Sequence, residues 1–297
     1  MNVFVKALGR LNRKLYAVGR GEPVYVVSFP KCGRTWLRYM LEQYLDAVAG
    51  IVSGRIAEGG QALKPRARPY APVQFIHDDD PDEKRPWELS RDKSRFAGAR
   101  VVLLVRDPRD VSVSMYFEKT KRSHLYRAPS NVPGQLGDLL GDHPGGLPTV
   151  IAYYNSWWAN RATPSAFLLL RYEDMLTDPK SCLRRFCEFA GYPIHETAID
   201  AAVKASDFSE MRQIEAGGGL SFKLSPGDKG DPESYKTRRG VAGGFVEYFT
   251  DAEIELATAQ LRQDLPEEFG YPGREDAAGH TPGEEPVVDT GGVEEGR

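Results

Sequence analysis

One segment of the chain, residues 28–36 (SFPKCGRTW), has the composition of an anion-binding loop. It lies between an apolar strand and a helix, and backbone N–H groups at the start of a helix attract negative charge. Gly33 lets the backbone approach an anion closely, and the Thr35 hydroxyl can donate a further hydrogen bond. Lys31 and Arg34 add positive charge, although the Lys precedes the Gly, unlike in the GxxxxGKS/T loop of nucleoside triphosphatases. The segment predicts a phosphate site, and an ordinary structural loop with one Lys is the alternative.

A second candidate follows the apolar residues 101–105 (VVLLV). Arg106 comes at the carboxyl end of this predicted strand, where ligands bind in open α/β sheets. Ser114 lies two turns into the next helix, on a side that could face the same crevice. An Arg and a Ser hydroxyl suit a phosphate. The residues equally allow a surface ion pair of Arg106 with Asp107 or Asp110.

A third candidate is the basic segment 237–240 (TRRG), inside a long stretch rich in Gly, Lys and Arg. The adjacent guanidinium groups of Arg238 and Arg239, next to Gly240, can fold over an anion and order the loop on binding. A merely solvated basic loop is the alternative. The surrounding residues 217–244 contain few large apolar side chains and are expected to form a long mobile loop.

The elements that must position these residues alternate between strands and helices. Strands are predicted at 24–28, 73–76, 101–105 and 167–171, all strongly apolar. Helices are predicted from about 35, from 108, and at 150–161, 179–190, 196–205 and 251–265, while 134–148 is rich in Gly and Pro and predicts a surface loop. This alternation is typical of a single α/β domain with a mostly parallel central sheet flanked by helices, here with a phosphate-binding strand-loop-helix.

The composition limits the class of protein. With 297 residues, 41% hydrophobic and 27% charged, the chain is globular rather than disordered or collagenous. A net charge of −3 offers no domain-wide basic excess, so no nucleic-acid partner is expected. Three cysteines without a CxxC pair argue against a disulfide framework or a Cys-rich zinc site, and they favour a reducing, cytoplasmic location.

The two ends of the chain differ from the centre. Residues 1–23 carry apolar side chains at helical spacing with basic residues opposite, which predicts an amphipathic helix packed on the domain, or alternatively at a membrane surface or partner. Residues 24–271 form the predicted domain. Residues 272–297 are acidic, contain no aromatic, Leu or Ile, and are expected to be disordered. No apolar run is long enough for a transmembrane helix.

Taken together, the three basic segments resemble the sulfotransferases that use 3′-phosphoadenosine-5′-phosphosulfate (PAPS). The family motif Pro-Lys-Ser-Gly-Thr-Thr-Trp is matched at 30–36 with two substitutions, Arg-Asn-Pro-Lys-Asp-(x)3-Ser at 106–114, and Arg-Lys-Gly at 238–240. The resemblance implies that Lys31, Cys32, Gly33, Arg34, Thr35 and Trp36 bind the 5′-phosphosulfate, with Lys31 bridging to the transferring group, and that Arg106, Ser114, Arg238, Arg239 and Gly240 bind the 3′-phosphate.

Three weaker matches occur in the family's order, so that the resemblance spans about residues 24–265. Residues 172–175 (YEDM) resemble a Tyr-Glu-Asp segment whose Tyr contacts adenine, and 206–211 (SDFSEM) resemble a Ser-Phe-x-x-Met segment that packs on the base. Residues 156–158 (SWW) resemble a Gly-Trp-Trp helix. The further binding residues implied are Tyr172, Ser206, Phe208 and Met211.

Sulfuryl transfer requires a base for the acceptor proton, and His titrates near neutrality. Of five histidines, His77 directly follows the strand 73–76, and the resemblance places the catalytic His there. The following residues 78–80 (DDD) could orient the imidazole, although a solvated turn is expected for at least two of them. Many cytosolic members carry a Lys where this chain has Phe75, so charge stabilisation is expected to fall more heavily on Lys31.

The predicted function is transfer of the sulfuryl group of PAPS to a hydroxyl or amine of a small-molecule acceptor, by in-line displacement and without a metal, leaving 3′-phosphoadenosine-5′-phosphate (PAP). A cytosolic-type domain of a bacterial-type member is expected. A P-loop-like nucleotide kinase and a non-catalytic protein that binds a nucleotide or sulfated ligand are the alternatives. Oligomeric state is open, with a homodimer as one option. An acceptor cleft lined by aromatic side chains is the weakest expectation, from Trp87, Phe117, Tyr153, Tyr154 and Trp157.

Overall fold

The computed structural model describes residues 22–48, 71–125, 128, 130–218 and 225–271. Four strands form one parallel sheet in the order β2-β1-β3-β4. Every residue of β1 is buried, as the apolar runs predict for a parallel sheet covered on both faces. The strands are β1 Val24–Ser28, β2 Val73–Ile76, β3 Arg100–Val105 and β4 Ala166–Arg171.

Helices cover the sheet, and several begin at capping side chains that the sequence contains. Asp107 accepts a hydrogen bond from the Arg109 N–H at 2.9 Å at the start of α2, and Thr250 forms a capping box with Glu253 at the start of α8. The helices are α1 Arg34–Val48, α2 Pro108–Phe117, α3 Leu147–Ala159, α4 Tyr172–Thr177, α5 Pro179–Ala190, α6 Glu196–Ala205, α7 Phe208–Ala216 and α8 Asp251–Asp264.

The α/β class, the parallel sheet and the four strands are confirmed, and α5 and α6 have the bounds that the sequence predicts. The surface loop expected at 134–148 is wrong in part. It contains the short helix Leu136–Leu140, and α3 already begins at Leu147. Leu139 and Leu147 are fully buried, so apolar burial here overrides the local preference of Gly and Pro for irregular structure.

Parallel pairing brings the carboxyl ends of all four strands to one edge of the sheet. The segments that follow β1, β2, β3 and β4 therefore meet there, and they begin with Phe29, His77, Arg106 and Tyr172. This edge is where ligands bind in open α/β sheets. The fold thus places the predicted chemistry in one region.

Several predictions concern parts of the chain that the structure does not describe. The N-terminal helix and the acidic tail fall on residues 1–21 and 272–297, outside the described ranges. Of the long basic loop, residues 217–218 and 225–244 are described, and a short helix at Pro232–Ser234 interrupts it. Within the described ranges, every helix is too short or too polar to cross a membrane.

Candidate functional site

A cleft of about 970 Å³, open to solvent, lies at the carboxyl edge of the sheet. Its walls come from the loop after β1, the start of α2, α4, α7 and the basic segment before α8. Thirteen of the fifteen residues predicted to bind the donor line it: Lys31, Gly33, Arg34, Thr35, Trp36, Arg106, Ser114, Tyr172, Phe208, Met211, Arg238, Arg239 and Gly240.

Two glycines are required by close approach of an aromatic ring. Gly33 has φ +88°, and a Cβ there would lie 2.6 Å from a ring carbon of Tyr172. Gly240 has φ +66°, and a Cβ there would overlap the ring of Phe208. Both positions combine a left-handed backbone with a packed neighbour, so any side chain would push the ring into the cleft or move the loop away.

Lys31 is held by a carboxylate that the sequence analysis did not single out. Its Nζ lies 2.5 Å from Oε2 of Glu118, and the same oxygen accepts a hydrogen bond from Arg122 at 2.8 Å. Burial opposes the charge on Glu118, but the Lys31 and Arg122 cations outweigh it and hold the pKa of this carboxyl well below its usual range. Burial lowers the pKa of Lys31, and although Glu118 opposes this shift, the nearby Arg122 charge adds to it.

His77 directly follows β2 and is fixed to the neighbouring strand. Its Nδ1 lies 3.0 Å from the carbonyl oxygen of Ser28 at the end of β1, and the Tyr153 hydroxyl donates to the His77 carbonyl at 2.5 Å. A carbonyl can only accept, so Nδ1 carries the proton and Nε2 is the ring nitrogen whose lone pair can act as a base. His77 does not line the cleft itself but lies beside the strand that leads into Lys31.

The acidic triplet after His77 is not the solvated turn that was expected. Asp78 is buried between Lys93, at 2.8 Å, and Arg95. Asp79 accepts a hydrogen bond from Lys84 at 2.5 Å, and only the third Asp is exposed. Two of the three carboxylates are thus neutralised by cations from residues 84–95, a segment whose fold against β2 the local sequence does not reveal.

The first basic side chain of the predicted 3′-phosphate site is not a surface ion pair. Arg106 is 12% exposed, lies 3.5 Å from Asp110 and donates to the Val241 carbonyl at 3.1 Å. Its guanidinium stacks on the ring of Tyr172 at 4.5 Å from the ring centroid. Asp110 also accepts the N–H groups of residues 243 and 245 at 2.9 Å, so it ties α2 to the basic segment.

The other two arginines are held over the cleft by acidic and aromatic partners. Arg238 bonds to Glu233 at 2.9 Å and to the Tyr248 hydroxyl, and it stacks on Phe117 at 4.7 Å. Arg239 pairs with Glu247, 2.7 Å between Nη2 and Oε1. Arg238 is therefore packed against the cleft wall, whereas the Arg239–Glu247 pair remains open to solvent.

Two of the predicted binding residues turn their side chains away from the cleft. The Cys32 thiol is buried 3.2 Å from the Tyr154 hydroxyl, and burial raises its pKa to about 12. The Ser206 hydroxyl donates to the Ala202 carbonyl at 2.8 Å, but its own carbonyl accepts the indole N–H of Trp36 at 2.7 Å. Ser206 thus positions an aromatic wall instead of presenting its hydroxyl.

The structure adds cleft residues that sequence reasoning missed. Lys236 lies two residues before Arg238, so the basic character of the segment was a signal that could have found it. Glu118, which holds Lys31 but does not itself line the cleft, precedes Arg122 by one helical turn, the spacing of a helical ion pair. The other additional lining residues are Asp110, Leu176, Thr237, Val241 and Gly244.

Comparison with known proteins gives the same family. Residues 84–267 match the family model described as "Sulfotransferase domain". A 3-beta-hydroxysteroid sulfotransferase from Cavia porcellus is 25% identical over 268 residues, which are 85% of this chain and 86% of that protein. Cytosolic sulfotransferase 17 from Arabidopsis thaliana is also 25% identical, over 82% of this chain and 74% of its own length.

Solved structures show the same fold. Mouse sulfotransferase SULT7A1, complexed with PAP, has a TM-score of 0.54 at 20% identity and covers 82% of this chain and 85% of its own. Retinol dehydratase, in a complex with retinol and PAP, has a TM-score of 0.54 at 19% identity and covers 82% and 81%. Because the family model spans more than half of the residues, the chain belongs to the sulfotransferase family and is a sulfotransferase.

Proposed function

We propose that this protein transfers the sulfuryl group of PAPS to a hydroxyl or amine of a small organic acceptor. The observation that carries the proposal is the charge of the cleft. Six cationic side chains line it against one carboxylate, that of Asp110, in a space large enough for a nucleotide. PAPS carries anionic groups at both ends of its adenosine, and the cations lie in segments on different sides of the cleft: Lys31, Arg34, Arg106, Lys236, Arg238 and Arg239.

The residues present fit such a donor. Among the described residues, the side-chain nitrogens of Arg34 and Lys236 have neither a hydrogen bond nor an ion pair, so the cleft offers an anion two basic groups that its own acids do not engage. The 5′ end of the donor would lie against the loop after β1. The 3′-phosphate would bind Arg106 and the 238–240 segment.

The aromatic walls suit the adenine ring. Trp36 and Tyr172 pack edge to face at 5.9 Å between ring centroids, and Phe208 on α7 is 40% exposed beside Gly240. Flat aromatic surfaces bind bases by stacking. Met211, almost fully buried behind them, supports this wall. We therefore place the base between α4 and α7.

The chemistry assigned to the chain is proton transfer and charge stabilisation. When bound, PAPS supplies a sulfuryl group on a phosphate leaving group. His77 accepts the acceptor proton at Nε2, because the Ser28 carbonyl holds the proton of the ring at Nδ1. Lys31, which follows the neighbouring strand, holds negative charge at the 5′ end of the donor.

We propose a small hydroxyl compound as the acceptor. The names of the relatives support this class, since one is a hydroxysteroid enzyme and one structural neighbour contains retinol. Phe29 and Tyr153, which pack edge to face at 5.7 Å near His77, are both buried in the core and therefore leave no ring surface for an acceptor. A cytoplasmic location is part of the same proposal, in keeping with the name of the Arabidopsis relative.

Calorimetric titration with PAP, AMP and ATP tests the donor site. PAP should bind at micromolar concentration and at least about 10-fold more tightly than AMP, because only PAP engages the 3′-phosphate cations. Transfer from PAPS to a panel of phenols, sterols and alcohols then tests the reaction. Tight ATP binding with no preference for the 3′-phosphate would refute the donor assignment and favour a kinase.

A further inference from the structure

Lys236 is a cleft side chain that lies outside the segments matching the family motifs. It precedes the two arginines of the basic segment, lines the cleft and is half-buried. Within the described ranges its ammonium group has neither a hydrogen bond nor an ion pair. Lys31 differs in this respect, because Glu118 holds its ammonium at 2.5 Å. Lys236 is thus a positioned basic group with no counter-charge among the described residues.

The backbone of this segment is fixed, so the position of Lys236 is not that of a loose loop. The buried carboxylate of Glu215, at the end of α7, accepts the N–H of Lys236 at 2.6 Å. Its other oxygen accepts the N–H of Thr237 at 2.8 Å and also the Thr237 hydroxyl. Three hydrogen bonds to one buried carboxylate anchor the two residues. The Lys236 side chain extends from this anchor along the cleft wall.

The charges that face Lys236 from the neighbouring elements are mostly positive. Lys31 approaches from the loop after β1, Arg34 from the start of α1, and Arg122 from the turn after α2. Two carboxylates oppose these cations: Glu118, on that same turn, already pairs with Lys31 and Arg122, and Glu215 on α7 accepts the backbone N–H of Lys236. Burial, followed by the Lys31 charge, lowers the pKa of Lys236 to about 7. A phosphate or sulfuryl oxygen would provide the counter-charge that Glu118 cannot.

We propose that Lys236 is a catalytic residue whose ammonium binds the phosphosulfate end of the donor beside Lys31, and that it takes up its proton from solvent as the donor binds. This inference rests on the proposed function. The phosphosulfate end of the donor then contacts two lysines. Lys31 is paired with Glu118, and Lys236 has no partner among the described residues. Donor binding and protonation of Lys236 become a single linked event.

Because donor binding is linked to protonation of Lys236, the number of protons taken up on binding can be measured without enzymatic turnover. At about pH 7.5 a lysine with a pKa near 7 is mostly neutral, so PAP binding should draw in about 0.8 of a proton. Titration calorimetry in Hepes and in Tris, which differ in ionisation enthalpy, reports this number. K236M should abolish the uptake and weaken PAP about 10- to 100-fold, the cost of losing a hydrogen bond to a charged group.

Two further variants separate this role from a structural one. K236R keeps a cation that does not titrate, so it should lose the proton uptake and retain PAP affinity within about 3-fold. K229M removes an exposed lysine seven residues before Lys236 and should behave as the wild type. With PAPS, kcat should fall about 100-fold in K236M and recover in part in K236R.

Monophosphates identify the end of the donor that Lys236 binds. Adenosine 5′-monophosphate should still draw in the proton, and adenosine 3′-monophosphate should not. Unchanged uptake and affinity in K236M, or uptake with the 3′-monophosphate alone, would overturn the inference. If the wild type does not bind PAP at all, the proposed function itself has failed, which is a different result.

Discussion

Replacing Glu118 with Gln tests how much this carboxylate stabilises the two buried cations beside the cleft. One oxygen of Glu118 accepts from Lys31 at 2.5 Å and from Arg122 at 2.8 Å, and these side chains are only 8% and 1% exposed. Gln has the same shape but no charge. The variant therefore leaves two buried cations facing each other across a neutral amide.

Neutralising one partner of a buried ion pair costs about 3 to 5 kcal/mol, which is a large part of a total stability of about 5 to 15 kcal/mol. Glu118 has a pKa lowered from its unfolded value of about 4.3. A carboxyl with a lowered folded pKa contributes stability above its unfolded pKa and loses it as pH falls through the folded one. The gap between wild type and E118Q should thus be constant near neutrality and narrow only in acid.

Urea unfolding of E118Q, with E196Q as the matched control, measures the effect. Glu196 pairs with Arg184 on the surface, at 59% and 41% exposure, so its loss should cost less than about 1 kcal/mol. Saturating PAP should stabilise E118Q more than the wild type, because an anion replaces the lost carboxylate beside Lys31. The reasoning fails if E118Q loses no more stability than E196Q, or if PAP stabilises both proteins equally.

Three other substitutions have definite expected outcomes. H77A should lower kcat with PAPS about 100-fold or more and leave PAP affinity within about 2-fold, by calorimetry, since a general base does not hold the nucleotide; equal rates would remove His77 from the mechanism. G33A should weaken PAP binding by more than about 10-fold, because the new Cβ meets Tyr172 in a left-handed backbone, and normal affinity would contradict that geometry. Burial raises the pKa of Glu173 to about 7, so its ionisation destabilises the fold as pH rises from about 4.3 toward 7. E173Q should match the wild type at about pH 3 and be more stable at pH 8 in urea unfolding, and a lower stability at pH 8 would show that the charge is favourable.

The sheet could be predicted from the sequence because strands that are buried on both faces are continuous apolar runs. Residues 101–105 contain only Val and Leu, and they form a fully buried part of β3. The short helices α4 and α7 were not predicted. α4 has only six residues, and α7 depends on Asp207, whose carboxylate caps the Ser209 N–H at 2.8 Å. Capping by one side chain is a weak signal until the neighbouring strand and helix fix where the chain turns.

The candidate site was predictable in its segments and less so in its individual contacts. The basic residues and Gly33 follow from anion chemistry at a strand-helix turn, and they do line the cleft. The inward turn of Cys32 depends on Tyr154, which is far away in sequence, whereas that of Ser206 depends on the Ala202 carbonyl one helical turn earlier in α6. Long-range pairs such as Lys31 with Glu118 are invisible to any local pattern.

The charges of the cleft form two groups with different consequences for binding. Most of the cations are paired with carboxylates of the protein, so a ligand gains from them only by competing with or sharing those partners. Arg34 and Lys236 have no such partner among the described residues, and burial lowers the pKa of both, to about 10 and about 7. Only these two groups gain a first counter-charge when an anion arrives. In the proposed site, the paired arginines therefore fix where a doubly anionic nucleotide binds. Arg34 and Lys236, which have no partner among the described residues, contribute most of the binding free energy. The pairs are Lys31–Glu118, Arg106–Asp110, Arg238–Glu233 and Arg239–Glu247.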